Sequence, residues 1–178
     1  MSEIYIAFVD TPGIFAGIIR RVIQQKYIHV VISMDPELKE AYSVGRRHPA
    51  IPLLAGFEKE EKQKILKVFP QEEQKMQIRA ILRETMAERY SYHYAVLGIP
   101  FILLNRPFYQ KNHYTCSSFI AKLLEETGVW QWEKHFSLVT PKDFMEQFGE
   151  QKIFEGGLWE LVDEKEEEGE FWKVAKAL

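Results

Sequence analysis

The chain has one cysteine among 178 residues. That count excludes an internal disulfide and fits a reducing compartment. Basic residues are not in excess either: 23 Lys and Arg against 26 Asp and Glu give a formal net charge of −3 and a pI near 6.0. Such a balance creates no field that gathers polyanions, so nucleic acid is not an expected partner. Long hydrophobic runs are missing. The apolar stretch Ile14 to Ile23 is broken by Arg20-Arg21, and Met1-Ser2-Glu3 is not a positively charged leader. Neither a signal peptide nor stable membrane insertion is expected, and the cytoplasm is the expected location. No Cys-x-x-Cys, His-x-x-x-His, glycine-rich phosphate loop or Gly-x-Ser-x-Gly occurs. Metal and cofactor chemistry, and a serine-hydrolase elbow, therefore have no motif to rest on.

What is present reads as one globular domain over residues 1–178, ordinary in hydrophobic (46%) and charged (28%) content. Ile4 to Val9 reads as a buried strand, and Asp10-Thr11-Pro12-Gly13 as a turn. Ile14, Phe15, Ile18, Ile19, Val22 and Ile23 give a helix to about Gln25. Tyr27 to Ser33 is a second strand; Asp35-Pro36-Glu37 turns the chain, and Glu40 to Val44 returns as a hairpin partner. Gly45 to Gly56, with Arg46, Arg47 and His48, is a loop, readable as a solvated connector or a substrate-facing segment. Glu58 to Lys67 reads as a strand end or short helix, and Glu72 to Tyr90 as an amphipathic helix. Tyr90 to Gly98 continues as an aromatic-rich part of another helix, with Pro100 near its end. Thr140 and Pro141 begin a further helix, and Lys152 to Leu158 reads as a strand and turn. Residues 163–178 form an acidic tail: Asp163 to Glu170 holds six acids and one lysine, a solvated or mobile composition.

The stretch with most chemical content is His113 to Leu124. Thr115 is placed as an N-cap, so Cys116 falls in a helix's first turn. Phe119, Ile120, Leu123 and Leu124 give that helix a buried face, and Thr127-Gly128 closes it. A thiol there feels the positive end of the helix dipole, which favours the thiolate. A lone cysteine is equally a small buried hydrophobe, so a partner decides between the readings. Five histidines are available: His29, His48, His93, His113 and His135. His29 stands out, because it sits in an otherwise apolar strand, where an imidazole needs a hydrogen-bond partner. That partner is either catalytic or purely structural.

The strand "YIHVVISMD", followed much later by "NHYTCSSFIAKLL", resembles the circularly permuted papain-like superfamily. The group includes permuted NlpC-type hydrolases and lecithin–retinol acyltransferase-like enzymes, in which His precedes Cys along the chain. "EAYSVGRRHP", "LLAGFEKE" and "KIFEGGLWEL" also resemble pieces of a Gram-positive bacterial branch. The resemblance spans about Ile4 to Leu161. It implies an α+β, papain-like fold with a small antiparallel sheet packed against helices, Cys116 as nucleophile and His29 as general base. The third, ring-orienting residue is expected on the next strand. Glu40 is the first choice by resemblance, whereas a turn centred near Pro36 sets Tyr42 or Ser43 opposite His29. The implied activity is a cysteine hydrolase (amidase or peptidase) or acyltransferase on a small peptide, amide or lipid-like substrate. A binding or regulatory module without turnover on the same fold is the alternative.

Overall fold

The computed structural model describes residues 2–10, 17, 19–21, 25–36, 38, 40–44 and 62–157. Five antiparallel strands form one sheet in the order β3-β2-β1-β4-β7: β1 is Ile4–Val9, β2 His29–Ser33, β3 Ala41–Tyr42, β4 Lys62–Val68 and β7 Lys152–Gly157. All six side chains of β1 are buried, which is why its sequence is continuously apolar rather than alternating. Its partners are β2 (Val9 opposite His29, Tyr5 opposite Ser33) and β4 (Ile4 opposite Val68, Val9 opposite Gln63). Charge in Glu58 to Lys67 left strand and helix open in the sequence. Pairing with both β1 and β7 resolves 62–68 as a strand, with Ile65 and Leu66 as its buried anchors.

The helices are α1 (Glu72–Ala87), α2 (Gly98–Leu103), α3 (Cys116–Glu126) and α4 (Pro141–Phe148). Strand alternation divides the core. Ile4, Ile6, Phe8, Val30, Ile32, Tyr42, Leu66 and Val68 face Ile78 and Leu82 of α1, Phe119, Ile120, Leu123 and Leu124 of α3, and Phe144 and Phe148 of α4. Tyr5, Ala7, Val9, Val31, Leu38, Ala41 and Ile65 form a smaller cluster on the other face, with Phe154 against it. The α+β class with an antiparallel sheet packed against helices thus stands.

Helix α3 has the ends its sequence prescribes. Thr115 Oγ1 accepts the Ser118 N–H, and Ser118 Oγ accepts the Thr115 N–H, a reciprocal cap between neutral groups. At the other end Gly128 adopts φ +66°, and the N–H groups of Gly128 and Val129 bond the carbonyls of Glu125 and Leu124. That left-handed Gly closure matches the Thr127-Gly128 stop.

The stretch after α1 differs from expectation. The helix ends at Ala87; Arg89–Ser91 is a single 3-10 turn, and His93–Tyr94 (β5) pairs in parallel with His113–Tyr114 (β6). A parallel pair needs a crossover, and α2 is contained in it. Pro100 lies inside α2 rather than near the end of a helix begun at Tyr90. Most of the helix expected from Ile14 to Gln25, the loop Gly45 to Gly56 and the tail 163–178 lie outside the described residues.

Candidate active site

Strand β2 presents the carbonyl of Ile28 and both main-chain groups of Val30 to one edge, because alternate residues of a strand bond to the same side. Strand β3 is only two residues long, and its pairs with β2 are Ile32 with Tyr42 and Ser33 with Ala41. Among the described residues the edge at 28–30 is met by side chains rather than by a further strand pair. Cys116 occupies it. Its Sγ lies 3.7 Å from the Ile28 carbonyl oxygen, and the Val30 N–H is directed at the sulfur. Ser43 occupies the next position, with its Oγ 3.3 Å from the Val30 carbonyl oxygen. The His29 ring completes the group, Nε2 standing 2.6 Å from Ser43 Oγ. Thiol and hydroxyl thus meet neighbouring carbonyls of one strand and the imidazole meets the hydroxyl, but no hydrogen bond joins Sγ to the ring.

The network admits two histidine tautomers, because the single Ser43 hydroxyl proton has two acceptors, the Val30 carbonyl at 3.3 Å and Nε2 at 2.6 Å. When it goes to the carbonyl, Nε2–H donates to Ser43 Oγ, and the Nδ1 lone pair is left without a hydrogen bond among the described residues. A ring bonded in this way has its basic nitrogen free.

Glu40, the first choice for the third residue, does not hold the ring. Its carboxylate pairs with Arg79 at 3.0 Å and Arg83 at 3.5 Å, both on α1, and accepts the Tyr42 hydroxyl at 3.2 Å. The reason is parity. Glu40 and Tyr42 point toward the helices, whereas Ala41 and Ser43 share the opposite alternation with His29 and Val31. Among the alternatives the hairpin admitted, Ser43 is the ring's partner. Of the other histidines, His93 and His113 stack 4.9 Å apart on β5 and β6, and His113 Nδ1 bonds the Lys111 carbonyl. His135 Nδ1 bonds Ser137. None of the three bonds the thiol, and His48 lies outside the described residues.

Electrostatics corrects one expectation. Burial pushes the Cys116 thiol pKa up, and the N–H groups of Val30, Ser117 and Cys116 itself offset that only in part. Burial likewise lowers His29 to about 4. At neutral pH the resting pair is thiol and neutral imidazole rather than thiolate and imidazolium, because desolvation outweighs the amide dipoles.

A cavity of about 40 Å³ adjoins the sulfur. Thr115, Cys116 and Ser117 from the start of α3 and Thr140 from the start of α4 supply its polar groups. Ile19, Ile28, Tyr94, Ile99, Ile102 and Pro141 supply the apolar lining. Ser117 Oγ donates to the Val139 carbonyl at 2.7 Å and so ties the two helix starts together. Thr140-Pro141 was legible as a helix start, but nothing local linked it to Cys116; the isoleucines of α2 were not foreseen as lining. Among the described residues no cluster of three or more His, Cys, Asp or Glu side chains is placed to hold a metal ion, and no helix is long and apolar enough to cross a membrane. No protein-family model, curated protein or solved structure matches the chain.

Proposed function

We propose that the chain is a cysteine-dependent hydrolase or acyltransferase of the permuted papain-like type, with Cys116 as nucleophile, His29 as base and Ser43 orienting the ring. The observation that carries this reading is that Cys116 Sγ and Ser43 Oγ contact neighbouring main-chain carbonyls of β2, at Ile28 and Val30, with the His29 ring held on Ser43 and a cavity beside the thiol. The substrate is an amide, ester or thioester carried by a small peptide or lipid-like molecule. As Sγ attacks the carbonyl carbon, its proton passes to Nδ1 of the neutral His29, and the Nε2–H bond to Ser43 keeps the imidazolium in place. The oxyanion is met by the N–H of Cys116 at the helix start. Collapse breaks the bond to the leaving group, which takes the proton from Nδ1. Water or another acceptor then releases the acyl group by the reverse transfers. Rotation of the ring about its Nε2–Ser43 contact, bringing Nδ1 toward Sγ, is part of the first step.

One observation favours the alternative, a binding module without turnover: the resting thiol is buried and uncharged. Activated-ester and thioester probes, read by mass spectrometry, separate the two. The hydrolase reading expects an acyl adduct on wild type that Cys116→Ala abolishes. His29→Asn should slow its formation by about a hundredfold or more, the usual share of a general base. Equal adduct rates in wild type and His29→Asn would overturn it.

A further inference from the structure

From Arg89 to Leu124 the chain contains no aspartate or glutamate, although the protein as a whole is acidic. Helix α2 sits within this stretch and is apolar around its whole circumference. Ile99 and Ile102 line the cavity beside Cys116. The outer side carries Val96 (46% exposed), Leu97 (67%), Leu103 (56%) and Leu104 (67%), with exposed Pro100 between them. Pro100 and Leu103 lie in α2 itself, while Val96 and Leu97 sit in the turn before it and Leu104 in the turn after it, so exposed apolar residues run through the helix and both its ends. A water-facing helix surface ordinarily carries polar side chains at those positions, and an unbroken apolar stripe marks an interaction surface. Arg106 and Lys111 follow directly, both exposed and neither in an ion pair among the described residues.

We infer that the Val96–Leu104 stripe docks the protein on the surface of an anionic lipid bilayer. The aliphatic side chains enter the boundary between headgroups and acyl chains, while Arg106 and Lys111 meet the lipid phosphates. The stripe lies on the surface rather than crossing it, since α2 has only six residues against the twenty or so a span needs. The stretch that bears the stripe brings no carboxylate of its own to such a surface, in contrast to the acidic balance of the whole chain. Because the inner side of α2 borders the Cys116 cavity, docking also sets that cavity beside the bilayer. Binding itself does not depend on whether Cys116 turns over.

Sedimentation of the full chain with vesicles tests the inference, using phosphatidylcholine alone and phosphatidylcholine mixed with phosphatidylglycerol. Wild type is expected to bind the mixed vesicles, at least roughly tenfold more tightly than the neutral ones, and to release with salt. Leu103→Glu/Leu104→Glu should lose binding to both with an unchanged melting curve, because both positions are exposed. Arg106→Glu/Lys111→Glu should lose only the preference for the anionic lipid. Wild type remaining in the supernatant with both vesicles would sink the proposal, as would undiminished binding by the double glutamate variant. A concentration-dependent dimer in light scattering, dispersed by the same variant and accompanied by no vesicle binding, would assign the stripe to a second copy and equally overturn it.

Discussion

Two helices aim their N-termini at the same cavity, and they treat it differently. Helix α3 begins with Thr115 and Ser118 capping each other, and the side chain it presents is the Cys116 thiol. Helix α4 begins with Thr140, whose N–H and hydroxyl both donate to the Asp143 carboxylate at 2.7 Å, and Lys134 pairs with that carboxylate from outside at 2.7 Å. Both ionisable groups are desolvated. Asp143 nevertheless has its pKa lowered, because Lys134 and the two Thr140 donors outweigh the burial. Cys116 has its pKa raised, because only main-chain N–H groups oppose burial. A helix N-terminus is therefore not sufficient to ionise a buried group. A nearby cation or several directed donors decide the sign, and among the described residues no cation acts on Cys116.

The His29 ring supplies the largest test of that contrast. Its pKa falls from an ordinary value of about 6.5 to about 4 on folding. The unfolded chain therefore binds the proton first as pH drops, so the stability held by the neutral ring is complete above pH 6.5 and is lost between 6.5 and 4. The full loss is about 3 kcal/mol. Denaturant melts from pH 7 to 4 should show this decline in wild type, and His29→Asn should flatten it. An equal slope in both proteins would mean the ring is not held neutral. Asp143 is shifted in the same direction, so it too loses stability as pH falls, but its window lies lower because its carboxylate is already ionised at neutral pH. Its contribution persists through that window and fades only below its ordinary value near 3.8. Replacing Asp143 with Ala removes the acceptor of two donors and the partner of Lys134, at a cost of about 2 kcal/mol at pH 7. A loss below about half that figure in urea unfolding would show the α4 cap to be ornamental, and the contrast with α3 would lose its meaning.

The α3 half of the contrast was legible in the sequence, because its determinants are local. Thr115, the apolar spacing from Phe119 to Leu124, and Gly128 each act within a few residues of themselves. The β2 edge was half legible. That His29 needs a polar partner followed from its apolar strand, but the partner depends on register. Leu38 at φ 59° and the bond from the Glu40 N–H to Asp35 shape the turn. The resulting pairs, Ile32 with Tyr42 and Ser33 with Ala41, centre it one residue beyond Pro36. Continued outward, this register leaves Ser43 diagonal to His29 rather than opposite, yet on the same face. Glu40, one residue out of phase with Ala41, falls among the α1 arginines. The 90–104 region was least legible, since β5 exists only by pairing with β6 some twenty residues later. The protonation state of Cys116 also escaped a local reading: the dipole is visible in the sequence, whereas burial by other segments is not.

The smallest effects sharpen the comparison of the two caps themselves. Thr115→Val removes the acceptor of the Ser118 N–H at the very turn that carries the thiol. A lost Thr cap costs about 1 kcal/mol in an ordinary helix. Thr140→Val removes a hydroxyl that donates to the Asp143 carboxylate and faces the Asp143 N–H in the capping box, but that carboxylate still accepts the main-chain N–H of residue 140. Its cost should therefore be smaller, about 0.5 kcal/mol, at the lower end of the range for one net hydrogen bond. Both residues border the cavity, and Val preserves their shape, so packing does not blur the difference. Cys116 alkylation at neutral pH reads the same variants chemically. Loosening the α3 start exposes the thiol and relieves the burial that raises its pKa, so iodoacetamide should label Thr115→Val faster than wild type. Loosening α4 leaves the Cys116 turn capped, so Thr140→Val should react at the wild-type rate. Equal acceleration in both would mean that the two helix starts open as one unit through the Ser117 bond to Val139, and that thiol burial belongs to the pair rather than to α3.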